Sequence, residues 1–407
     1  MNVILSVILI IVGVLNVFIK SKDKYFILLF NIINSIGAIT LVFTSNLSTL
    51  HISQNVLTDI LLLYLIVNFA FFCVNFYKHD FLIKEEIIRS DRSFFGLFFL
   101  LTIPIVYFLI LNYDKLPIYF IIKGINIVES QRPDVSGEIS HYFSFTLFLV
   151  GIYLPFTINM LYKAHEQRKV KIKFLVLPLV LLPWIIMFDK SSLFEVVFFI
   201  LVINPLFFKY YNRLSRKRTA IINSIVLVIL LIILYNLTRF LYGSSSSINL
   251  STMAKLVFGR VSLISTFILG KIIDIFMGTS TTLPEGETLR HFIFKILYSR
   301  EVGGAPTSYI GTLVFYIRNR YLVYIATFVV STIIFAFRRL VYQIENSKFK
   351  YAIFYLQYYG AIILSTTFLE DYLLRTLIPI AFFMIVDKFF ITIKSKNNWF
   401  KKMKLER

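Results

Sequence analysis

The chain has 407 residues, 58% of them hydrophobic and 16% charged. Soluble domains average about 45–50% apolar; here the excess comes in continuous runs of about 18 residues or more, enough to span roughly 30 Å of hydrocarbon. A formal charge of +20 would suit a nucleic-acid binder, but the basic residues gather in short loops between apolar runs, which argues against nucleic acid and for the cytoplasmic loops of a membrane protein.

In lipid, a backbone pairs internally as helices or a closed barrel. The runs are continuous rather than alternating, so the sequence predicts an all-α polytopic integral membrane protein of about eleven transmembrane helices, within a range of 10–13. The first, 3–19, has no basic residue before its apolar core and no small-residue cleavage site, so it reads as a retained helix. Others are expected at 25–45, 56–77, 94–111, 141–162, 172–188, 192–208, 220–241, 320–337, 351–369 and 372–392, making residues 1–407 one membrane domain. Segments 20–24, 78–93, 163–173, 208–218, 338–350 and the tail from 394 carry more than half of the 42 lysines and arginines. That asymmetry puts them in the cytoplasm, with the N-terminus outside and the C-terminus inside.

Two outward segments exceed simple turns, 112–140 and 242–319, and long segments of this kind are usually functional. The first ends in "ESQRPDVSGEIS", with Arg132 and Glu138, and His141 follows at the start of the next helix. A cap from Ser136 or Ser140 would put Glu138 or His141 at the rim of an outward cavity, where a general base is wanted; capping and solvation alone explain the same residues. The second breaks the charge asymmetry with Lys255, Arg260, Lys271, Arg290, Lys295, Arg300 and Arg318. Its stretch 253–277 reads as an amphipathic helix on the outer leaflet or lining a cavity. Arg260 sits in an apolar setting there: either it snorkels to headgroups, or its planar fork holds phosphate. "LPEGETLRHFIFK" adds Arg290 and His291 in a short helix whose charges also suit its dipole. Near the end, Glu370, Asp371 and Arg375 lie at the outer mouth of the last helices, the last two spaced to pair.

No nucleotide-binding or hydrolase signature is present in the sequence, and the five histidines show no metal-ligand spacing, so neither metal nor cofactor is expected. Cys73, the single cysteine, reads as a small buried hydrophobe. Any activated group must therefore arrive with the substrate.

"GGAPTSYIGTLVFY" at 303–316 interrupts the second outward segment just before a spanning helix. With Gly303, Gly304, Pro306, Ser308, Ile310 and Gly311 it resembles the O-antigen polymerases of the Wzy type, also called oligosaccharide repeat unit polymerases. That family usually has an acidic residue soon after the Ile-Gly pair, where Thr312 and Leu313 stand here. The resemblance implies a metal- and nucleotide-independent glycosyltransferase. It would join undecaprenyl pyrophosphate-linked oligosaccharide repeat units on the outer face of a bacterial inner membrane, alongside a flippase and a chain-length regulator. Arg260 first, then Arg132, Arg290, Arg300, Arg318 and Arg375, would bind pyrophosphate. Glu138, His141 or His291 would serve as base, while Gly303, Gly304, Pro306 and Gly311 would shape a re-entrant loop. An O-antigen ligase-like or other lipid-linked glycosyltransferase is the near alternative, and a lipid-linked oligosaccharide flippase is the alternative from another class.

Overall fold

The computed structural model describes residues 1–19, 21, 23–43, 52–76, 93–111, 113, 123, 148–166, 199, 221, 222, 225, 263–285, 289–298, 307–342 and 347–388. The described residues are mostly helical and contain no strand. Among the described residues three helices are long and apolar enough to cross a membrane: Phe26–Phe43, Gln54–Phe76 and Arg320–Val341. The helices expected at 172–188, 192–208 and 220–241 fall outside the described residues, apart from isolated positions.

The chain divides into two compact units. The first, 1–85, 254–345 and 357–376, holds α1 (Asn2–Phe18), α2 (24–43), α3 (Gln54–Phe76), α6 (Ile264–Phe276), α7 (Leu289–Tyr298), α8 (Ile310–Ile317) and α9 (Arg320–Tyr342). It also takes the C-terminal half of α10 (Lys350–Thr366) and the start of α11 (369–388). Polar pairs fix the directions of these helices. Asn2 bonds Gln54 and Asn16 bonds Asn68, a constant offset, so α1 and α3 run parallel. Tyr324 reaches Asp59 and Arg339 reaches the Val74 carbonyl, so α9 is parallel to both.

Each of these asparagines would be costly alone in an apolar interior. Together they form a hydrogen-bonded seam: the Asn16 amide donates to Asn68, and Asn68 also exchanges hydrogen bonds with Asn31 on α2, at 2.9 and 2.8 Å. Around that seam Phe335 of α9 meets Phe26 and Phe71 edge-on, with ring centroids 5.2 and 5.3 Å apart. α6 packs into the same core through Ile268, Leu269, Ile272, Ile273 and Phe276. Its Ser265 hydroxyl donates to the side-chain oxygen of Asn34 at 3.2 Å. Cys73, expected inside, is exposed on α3. α3 is apolar on every side, so composition could not tell its core face from its outer face.

The second unit, 86–253, 346–356 and 377–407, contains α4 (Ser93–Leu111) and α5 (148–166). Asn159 of α5 accepts from the Tyr351 N–H at 3.2 Å and donates to the Lys348 carbonyl at 3.1 Å, which caps the start of α10. Phe349 lies between Phe156 and Phe383. π-Helical turns at Leu149–Tyr153 and Leu373–Leu377 come just before Pro155 and Pro379. A proline cannot donate to the carbonyl four residues back, and the wider turn re-routes the freed groups without ending the helix.

Candidate functional site: a buried turn and an oriented carboxylate

The segment that interrupts the apolar pattern enters the described structure at Thr307. Residues 307–309 are not helical, yet Thr307, Ser308 and Tyr309 are buried. Their backbone satisfies the end of α10. The Thr307 N–H donates to the Thr366 carbonyl at 3.0 Å and the Tyr309 N–H to the Leu364 carbonyl at 3.1 Å. The Asn34 amide takes the carbonyl between them, Ser365, at 3.1 Å. A helix end buried in a bundle needs such partners, and here a loop and a neighbouring helix supply them.

The depth of this turn follows from Tyr309. Its hydroxyl is 2.5 Å from that of Ser331, halfway along α9. Ser331 gives its own proton to the Thr327 carbonyl, so Tyr309 is the donor. Non-helical backbone at this depth is tolerated where protein surrounds it. Gly311, at the head of α8, makes room for the approach: a Cβ there would lie 3.0 Å from the Thr307 side chain and 3.2 Å from Ile272. The hydroxyls of Thr307 and Ser308 are buried with no hydrogen-bond partner among the described residues.

One turn along α8, the Thr312 hydroxyl accepts the Leu369 N–H at 3.0 Å and donates to the Glu370 carboxylate at 3.3 Å. Glu370 is solvent-exposed and near the Tyr316 hydroxyl. Partial desolvation, then the Glu370 charge and the hydrogen bond to it, raise the Tyr316 phenol above its usual range. Tyr316 therefore stays protonated and able to donate to Glu370. The neighbouring cation is engaged elsewhere: Arg375 Nε is 3.2 Å from Asp371. Glu370 is thus an ionisable group oriented by neutral donors, an arrangement suited to accepting a proton.

A second ionised cluster lies where α3 and α9 begin. Asp59, only 5% exposed, is 3.0 Å from Arg320 and takes a hydrogen bond of 2.5 Å from Tyr324. A third lies at their other ends. Arg338 binds Asp23 through Nε and Nη2 at 2.7–3.0 Å, gives Nη1 to the Gln357 carbonyl and covers the Phe26 ring.

Most residues singled out from the sequence are not described. Arg132, Glu138, His141, Arg260, Arg300, Gly303, Gly304 and Pro306 lie outside the described residues. Arg290 and His291 fall on α7, with side chains outside the description. Arg318 ends α8 in a left-handed conformation, φ 60°. Sequence reasoning missed Asp59–Arg320 and Asp23–Arg338 as pairs, and the Thr312–Glu370 contact. Asp59 did carry a signal, an acid inside an apolar run. Among the described residues no group of three or more His, Cys, Asp or Glu side chains is placed to hold a metal.

Comparison with known proteins finds no matching family model, no matching curated protein and no matching solved structure.

Proposed function

We propose that the chain polymerises undecaprenyl pyrophosphate-linked oligosaccharide repeat units on the outer face of a bacterial inner membrane, through eleven spans with the N-terminus outside. The observation that carries this reading is the buried turn 307–309 leading into Ile310–Gly311 and Thr312, whose hydroxyl holds the Glu370 carboxylate. The resembling family usually has an acid soon after that Ile-Gly pair; here a neighbouring helix supplies one. In the proposed reaction the acceptor sugar hydroxyl attacks the anomeric carbon of the donor glycan. The new bond is the glycosidic C–O bond, and the bond broken joins that carbon to the pyrophosphate oxygen. Undecaprenyl pyrophosphate leaves with the electron pair, and the acceptor proton passes to a base. Glu370 joins Glu138, His141 and His291 as candidates for that base. Arg260, with Arg132, Arg290 and Arg300, would stabilise charge on the leaving pyrophosphate.

Purified full-length protein in liposomes, given lipid-linked repeat units, should produce a ladder of longer chains on a gel. Arg260→Ala should abolish the ladder without impairing insertion. No extension with the native substrate would overturn the reading. Transport of a lipid-linked oligosaccharide is the second reading, and one observation favours it: α8, α10 and α11 all end or begin beside the buried turn. Discontinuous helices meeting at mid-depth are common at transporter binding sites. Passage of labelled substrate across the liposome membrane without chain lengthening would select it.

A further inference from the structure

Among the described residues Arg318 is the one non-glycine with a left-handed backbone. It stands at the C-terminal cap of α8, where its N–H bonds the Val314 carbonyl at 3.1 Å. Glycine is the usual residue at such a cap because it alone adopts this conformation without steric cost. The loop beyond α6 fixes the strained position from outside, since the Gly278 N–H donates to the Arg318 carbonyl at 2.7 Å. An arginine kept where glycine fits better points to work done by its side chain. That side chain is rooted: Nε donates to the Phe315 carbonyl at 3.2 Å and the guanidinium lies 5.7 Å from the centre of the Phe315 ring.

Two residues on, Arg320 is rooted as well. One edge of its fork is held 3.0 Å from Asp59, itself fixed by Tyr324, while the arginine side chain remains 53% exposed. Among the described residues no further partner engages either guanidinium. An arginine that merely snorkels has no need of a buried carboxylate and a tyrosine to set its orientation. Asn319, between the two, accepts from the N–H groups of Tyr321 and Leu322 and so starts α9. Both cations therefore flank the positive end of a 23-residue helix.

We propose that Arg318 and Arg320 form a clamp for the phosphate of a membrane lipid headgroup. A lipid is favoured over a soluble anion because Arg320 opens a candidate span whose outer face is apolar. Leu322, Ile325, Val329 and Ile333 follow at helical spacing and are 46–62% exposed, which places acyl chains beside the headgroup. Any phosphate-headed lipid satisfies the site, so the inference does not depend on the glycan-transfer reading.

Native mass spectrometry of the full-length protein from mixed micelles tests it, with phosphatidylglycerol set against a phosphate-free glycolipid of the same chains. Arg318→Gly should cut retention of phosphatidylglycerol by roughly tenfold, the effect of losing one charge-assisted contact, while leaving the melting temperature equal or higher. The double variant Asp59→Asn/Arg320→Gln leaves no buried charge behind and should lose retention to a similar degree. Displacement of the lipid by millimolar inorganic phosphate would support the phosphate clamp and assign it to a soluble phosphate group. Unchanged retention in Arg318→Gly and in the folded double variant would overturn the proposal; should the double variant not fold, Arg318→Gly decides alone. The readout is binding without turnover, so its failure is distinct from failure of chain extension.

Discussion

Thr312 shows how one hydroxyl joins structure to chemistry. It is 4% exposed, accepts a backbone N–H from the start of α11 and donates to Glu370. Thr312→Val keeps the shape and removes both bonds. The orphaned Leu369 N–H should cost about 1–3 kcal/mol, seen as a lower melting temperature in detergent, and Thr312→Ser should restore most of it. Glu370→Gln separates chemistry from stability. The amide oxygen still accepts from Thr312, so unfolding should be unchanged, while chain extension should fall by about 10²–10⁴ if Glu370 is the base. Equal activity in the variant would remove that role. Glu370 was visible in the sequence as a charge at a helix mouth, but Thr312 was legible only as a departure from a motif. Nothing in the order of residues shows that positions 312 and 370 meet, since a contact so distant in sequence depends on how α8 and α11 pack. Asn16 and Asn68 are likewise two isolated polar residues in apolar runs until α1 and α3 lie parallel.

At the scale of elements, the hydrophobic runs that fall on described residues match helices, as at α3, expected at 56–77 and occupying Gln54–Phe76. Length and apolarity suffice for that, because a lipid-facing helix leaves its mark residue by residue. What the runs do not encode is how closely the helices approach. Gly360 of α10 is the sharpest example. A Cβ there would lie 2.7 Å from Thr376 Cγ2 and 2.8 Å from Tyr372 Cε2, and a buried ring edge cannot swing aside. Gly360→Ala should therefore destabilise by about 1–3 kcal/mol through overpacking. Gly96 of α4 is the control, with nothing within 4 Å of its added Cβ. Gly96→Ala should stabilise by about 0.5–1 kcal/mol, the helix-interior preference for alanine. Thermal unfolding of the two variants in the same detergent checks both signs; destabilisation of similar size in both would refute the packing argument for Gly360.

At the scale of the molecule, the charge asymmetry of the loops and the packing of the first unit bear on the same question from different sides. Alternating spans require that the first, third and ninth predicted helices point the same way, and α1, α3 and α9 are parallel in the structure. The Asp23–Arg338 pair lies at the end of these helices where the segments 20–24 and 338–350 are rich in basic residues. With side chains 1% and 2% exposed, this pair adds little net stability, because desolvation offsets most of its attraction. Asp23→Asn should cost about 3–5 kcal/mol by leaving Arg338 buried without a counter-charge, whereas Asp23→Leu with Arg338→Met should recover most of the loss. The direction of the whole bundle is testable by labelling. In a Cys73→Ser background, Ser280→Cys places a thiol in the exposed loop after α6, beside the Arg318 end of α8. The proposed orientation puts that loop outside, so a membrane-impermeant maleimide should label it in intact spheroplasts. A cysteine at Ser21, at the opposite end of the parallel helices, should react only after the membrane is opened. Labelling of Ser21→Cys in intact cells with Ser280→Cys protected would invert the bundle and place Glu370 and the Arg318–Arg320 end on the cytoplasmic side, out of reach of an outer-face glycan.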